Sequence, residues 1–244
     1  MKLSADQPSA PRGVSPRWGL GDALLGFVAG LMLSTLVASA WLGVTGETDL
    51  DLAGRGVSQL GLWTGLAGAA LMASRRKGAG LLAVDFGLRM RGFDVIIGVL
   101  VGVAGQVVLV TAIAFVLSPL IGDPDVSGPV TDLVRDTKGP GVVGVVLFTV
   151  VGAAVVEELF YRGLLLRSLQ RRIPTFAAVP VSALLFGVSH LQPLTAAGLV
   201  LVITSLTAFG AVLAVLAVRT GRLGSAIWAH GAFNAVTVVF LLLE

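Results

Sequence analysis

The sequence predicts an all-α bundle of transmembrane helices, about seven spans, around a polar intramembrane cavity. Three observations predict it. The 244-residue chain is 55% hydrophobic and only 13% charged, against about a quarter charged in a soluble domain. Its apolar residues fall in long runs without helical or strand periodicity, and runs of about 18 or more mark membrane-crossing helices. Inside one such run lie two adjacent carboxylates, Glu157 and Glu158. Each costs roughly 2.5–3.5 kcal/mol at a helix centre even on lenient scales, which makes them a functional-site hypothesis by default.

Residues 1–17 are polar, carry Pro8, Pro11 and Pro16, and read as a flexible cytoplasmic tail. Residues 18–244 read as a single transmembrane domain. Apolar spans follow at 19–43, 57–74, 93–121, 140–166, 175–191, 194–218 and 223–243. The first is longer than the usual apolar region of a secretory signal, about 7–15 residues, and reads as a span; its basic tail and Ala38-Ser39-Ala40 allow cleavage as the alternative, which would leave the other six spans in place. Gly26 and Gly30, Gly61 and Gly65, and Gly98 and Gly102 form small-residue faces for close helix approach.

The connections alternate in charge. One side collects 13 basic residues, among them Arg75, Arg76, Lys77, Arg167, Arg171, Arg172, Arg219 and Arg222. The other has three, Arg55, Arg135 and Lys138, beside Glu47, Asp49, Asp51, Asp123, Asp125, Asp132 and Asp136. Lys/Arg bias sets orientation, so the N-terminus is expected in the cytoplasm and the C-terminus outside. Asp22, Asp85 and Asp94 lie near cytoplasmic helix ends, where solvated or capping roles account for them. Arginine outnumbers lysine 14 to 3, which fits a GC-rich bacterial genome and hence a bacterial inner or plasma membrane.

With no cysteine, disulfides, thiolate metal sites and a cysteine nucleophile are excluded. The scattered basic residues give no nucleic-acid surface. The chain has two histidines, His190 and His230, both in spans. Residues four apart share a helix face, so Glu158 can pair with Arg162, Glu157 faces with Tyr161, Phe186 lies one turn before His190, and His230 points with Asn234. Lipid solvates none of these polar groups. One shared interior site satisfies them most economically. Glutamate and histidine around one water can make it a nucleophile, and a histidine with an amide can receive an oxyanion. That set suffices for amide hydrolysis. Taken singly, the Glu pair with Arg162 also reads as a structural ion pair, and each histidine as a satisfied packing residue. Depth is the tightest constraint: His230 is about 12 Å along a helix from Arg222, whereas His190 is about 24 Å beyond Pro174.

Glu157-Glu158-x-x-x-Arg162, Phe186-x-x-x-His190 and His230-x-x-x-Asn234, in that order, resemble the motifs of the CAAX protease and bacteriocin-processing (CPBP, Abi) family. These intramembrane endopeptidases are related to the Ras-converting CAAX endopeptidase. The resemblance covers the motif core at 140–243. It implies that Glu157 and His190 position and activate water, that His230 and Asn234 form the oxyanion hole, and that Glu158 and Arg162 hold the site as an ion pair. It implies a membrane-associated peptide or protein substrate in the lipid bilayer; with a bacterial origin, where protein prenylation is generally lacking, leader peptides, anchored peptides or regulatory proteins are expected rather than farnesylated chains. No cofactor is expected. Zinc on Glu157, His190 and His230 is the alternative, without a His-Glu-x-x-His helix to support it. Two other readings stand beside the enzyme: a non-catalytic membrane partner or immunity factor, and a proton-coupled transporter, though the chain shows no repeated halves.

Overall fold

The computed structural model describes residues 16–243 apart from 123, 127, 129, 130, 132, 133 and 136. Among the described residues there are eight helices and no strand: α1 Leu20–Thr45, α2 Leu52–Lys77, α3 Leu82–Asp85, α4 Gly92–Ile121, α5 Pro140–Gln170, α6 Thr175–Val188, α7 Ala196–Thr220 and α8 Gly224–Leu243. Five of them (α1, α4, α5, α7 and α8) are long and apolar enough to cross a membrane. The protein is a multi-pass helical membrane protein.

The other two expected spans differ in instructive ways. α2 has 26 residues, but Arg55, Ser58, Gln59 and Thr64 interrupt its apolar surface. It is packed on α1 instead of being clothed in apolar side chains. α6 is apolar but only 14 residues long, about 21 Å at 1.5 Å per residue. Its Pro180 sits in mid-helix, and the backbone ends in a turn at Ser189 and His190.

Small residues set the helix contacts. A Cβ on Gly65 would collide with the Gly30 backbone, and one on Gly61 would sit 2.9 Å from Ser34 N. α1 and α2 therefore approach backbone to backbone, as the small-residue spacing predicts. Gly98 and Gly102 do the same for α4 against Trp228 and Ala229 of α8. Large apolar side chains such as Leu25, Phe93, Phe115 and Phe176 are left exposed on the outer faces, where hydrocarbon would contact them.

The main buried core lies at the end of the bundle formed by the N-terminus of α1 and the C-terminal part of α5. Trp18, Phe86, Phe160, Leu164, Leu166 and Leu223 meet there. Residues 1–15 of the expected tail lie outside the described residues. Pro16, Arg17 and Trp18 are anchored: Arg171 donates to the Trp18 and Pro16 carbonyls, and Arg17 N donates to Lys77 O at 2.7 Å.

Of the aspartates at this end, Asp22 and Asp94 take the expected capping roles, while Asp85 and Asp94 are also buried. Asp22 does cap Gly19 N at 3.0 Å and pairs with Lys77. Asp94 is fully buried, capping Arg91 N while accepting from Ser225 and bidentately from Arg222 at 2.7 and 2.8 Å. Asp85 accepts from Ser74 Oγ at 2.6 Å, from Ala79 N, and from the Trp18 indole. These carboxylates tie loops to helices, a pairing between distant segments that local sequence does not announce.

Candidate active site

α5 supplies four of the polar groups. Its backbone is α-helical at Ala153–Glu158, between π-helical stretches at Leu147–Gly152 and Leu159–Leu165. Such wider turns inside helices are frequent at functional sites. Glu158 is 0% and Arg162 1% exposed. Arg162 Nη1 donates to Glu158 Oε1 at 2.6 Å, and Nη2 to the Gly210 carbonyl of α7 at 3.0 Å. The guanidinium lies 4.3 Å from the Phe186 ring centroid, a cation–π contact in a dry setting. A Cβ at Gly210 would be 3.2 Å from Nη2, so the glycine keeps the space through which that carbonyl is reached.

The two histidines converge on the glutamates. His230 Nδ1 is 2.9 Å from Glu158 Oε1, and His190 Nδ1 is 2.7 Å from the Phe186 carbonyl. A carboxylate and a carbonyl oxygen can only accept, which puts the proton on Nδ1 of each ring. Both Nε2 atoms then face one oxygen, Glu157 Oε2, at 3.6 Å from His190 and 4.0 Å from His230. That oxygen is buried and has no hydrogen-bond partner in the protein. Gaps of this length exceed a direct hydrogen bond and suit a bridging water.

A second layer steadies His190. Tyr161 Oη donates to Ser189 Oγ at 2.6 Å, and Ser189 Oγ lies 2.8 Å from the Phe186 carbonyl and 3.4 Å from His190 Nδ1. The one-face reading paired Tyr161 with Glu157; its hydroxyl proton goes to Ser189. Sequence reasoning passed over Ser189, because a serine beside a helix-end histidine carries no distinctive spacing. Phe186, read as packing, is edge-on to Tyr161, His190 and His230 at centroid distances of 5.1, 4.6 and 5.7 Å. It is the apolar wall that orients both imidazoles.

Asn234 sits one turn beyond His230, and its Nδ2 donates to the Thr149 carbonyl at 2.7 Å. That spends one of the amide's two N–H donors and fixes its plane. All six sequence-predicted residues therefore come together. Glu157, His190, His230 and Asn234 line a cavity of about 780 Å³, while Glu158 and Arg162 lie beneath it. Among the described residues, no group of three or more His, Cys, Asp or Glu side chains is arranged to hold a metal ion. Glu157, His190 and His230 as they stand do not form such a group.

A multi-pass helical bundle enclosing two glutamates, two histidines and a buried arginine around one cavity has the form of a membrane-embedded hydrolytic site. Residues 139–236 match the model of the Rce1-like family, type II CAAX prenyl endopeptidase Rce1-like. The match spans α5 to α8, the helices that carry the six residues, and it is this part of the chain that is similar to the family. No curated protein and no solved structure matches the chain. The similarity to this family points to a membrane-embedded protease.

Proposed function

We propose that the protein is an intramembrane endopeptidase of the glutamate type. Glu157 and His190 hold and activate the attacking water. The observation that carries this reading is the unpartnered Glu157 Oε2 faced by two imidazole Nε2 atoms. A water between Glu157 Oε2 and His190 Nε2 has two acceptors for its two protons. Glu157 takes one as the oxygen attacks the scissile carbonyl, and passes it to the departing amine. His230 Nε2 and the free N–H of Asn234 receive the oxyanion.

Charge balance supports that role for His230. Glu158 and Arg162 cancel, so Glu157 leaves the buried set with one unbalanced negative charge. A proton on His230 Nε2 neutralises the set and turns that atom into a donor. Glu158 holds the ring by Nδ1 throughout. Chemistry of this form needs no metal, and activity is expected to survive chelation. The domain acting this way is residues 18–244, in the inner or plasma membrane of a bacterial cell.

Purified protein reconstituted with a library of membrane-anchored peptides tests the proposal. Wild type is expected to cleave a subset, and Glu157→Gln and His190→Ala to lower the rate by about 10²–10⁴-fold, the usual worth of a positioned acid–base group. Full activity in Glu157→Gln would overturn the water-activating role. Loss of activity with a chelator, restored by zinc, would overturn the metal-free form. Binding without cleavage, or proton flux abolished by the same substitutions, would replace the enzyme by a partner protein or a transporter.

A further inference from the structure

The cavity holds its glutamate and two histidines at one end, and it is open at the other. Its described lining on α5 runs from Gly141 to Tyr161, and on α8 from His230 to Thr237. On α2 it reaches the first turn, at Leu52, Ala53 and Arg55, where Leu52 is 39% exposed. No described residue beyond Tyr161 on α5 or before His230 on α8 lines it. In that direction stand the buried Arg162 and then the packed core of Phe160, Leu164, Phe86, Leu223 and Trp18. The site thus has a floor at the end with the α5–α6 and α7–α8 connections, and a mouth at the end with the α1–α2 and α4–α5 connections.

Charge assigns these two ends to sides of the membrane. Among the described residues the floor end carries 11 Lys and Arg and the mouth end three, with four Asp and Glu in the two connections beside the mouth. The basic end is cytoplasmic by the orientation rule. We propose that substrate reaches Glu157 from the extracytoplasmic side, through the mouth beside Leu52 and Ala53. The substrates would be membrane-anchored polypeptides whose scissile bond lies on the outer side of the anchor. This rests on the protease reading above.

A length rule follows. Glu157 is 16 residues along α5 from Gly141, about 24 Å of helix rise. An extended chain covers about 3.3–3.6 Å per residue, so about seven unfolded residues must lie between the scissile bond and any folded domain outside. The wall along this path, with Phe27, Leu31, Leu62, Trp63, Val145 and Phe148, suits apolar side chains.

The absence of native cysteine makes the test direct. Single-cysteine variants of the full chain would be treated in intact cells with a membrane-impermeant maleimide. Ala53→Cys at the mouth and Thr149→Cys or Gln59→Cys within the cavity are expected to label in intact cells. Ala79→Cys, exposed at the floor end, is expected to label only after permeabilisation. Cavity cysteines that label only from the cytoplasmic side, or from neither side, would overturn the proposal, as would Ala79→Cys labelling in intact cells. Adding Glu157→Gln to Thr149→Cys should leave labelling unchanged, which separates a wrong route from a wrong chemistry. In the activity arm, moving a folded reporter from about ten to about three residues outside the scissile bond should abolish cleavage. Unchanged cleavage would refute the route.

Discussion

Arg162→Ala would strand Glu158 in a fully buried position with its main counter-charge gone. Breaking a buried pair by removing one partner costs about 3–5 kcal/mol, so the thermal midpoint in detergent is expected to fall sharply. Arg162→Lys should rescue little. One ammonium cannot reach both Glu158 Oε1 and the Gly210 carbonyl while lying flat on Phe186, which is the work of a planar fork. Tyr161→Phe is milder. It removes one hydrogen bond to Ser189, about 0.5–1.5 kcal/mol, and should lower stability slightly while cleavage persists. The residues themselves were legible in the sequence because lipid makes charge conspicuous: Glu157, Glu158, Arg162, His190, His230 and Asn234 were all singled out. Their hydrogen bonds were not. That His230 gives its Nδ1 proton to Glu158, or that Ser189 links Tyr161 to the Phe186 carbonyl, depends on how α5, α6 and α8 are rotated against one another.

Helix contacts offer an internally controlled pair of substitutions. Gly65→Ala places a methyl on the Gly30 backbone, where nothing flexible can yield, whereas Gly68 has nothing within 4 Å of the added Cβ. Gly65→Ala is expected to cost about 1–3 kcal/mol, and Gly68→Ala to gain about 0.5–1 kcal/mol from the better helix former. Thermal unfolding of both variants measures the difference. Helices α1, α4, α5, α7 and α8 were legible from their apolar runs alone. α3 was not, because one turn at Leu82–Asp85 has no periodicity to detect. The π-helical stretches flanking Glu157 and Glu158 were equally silent, since a wider turn is imposed by what the helix packs against. Asp94 was legible as a helix cap, but its partners Arg222 and Ser225 lie more than 120 residues away.

For the whole molecule, the seven-span reading placed every long helix of the bundle. α6 is the shortest of these at 14 residues, and its length has a physical consequence. A rise of about 21 Å falls short of the roughly 30 Å of hydrocarbon in an ordinary bilayer. Lipid beside a short helix compresses, at a cost of fractions of a kcal/mol per Å. His190 stands where α6 stops, so acyl-chain length should bear directly on the reaction. Thin bilayers of short-chain lipid are expected to raise turnover, and thick or sterol-stiffened ones to lower it, in proteoliposomes differing only in lipid. The thickness of the surrounding membrane would then act as a dial on proteolysis, set by the cell through the fatty acids it makes.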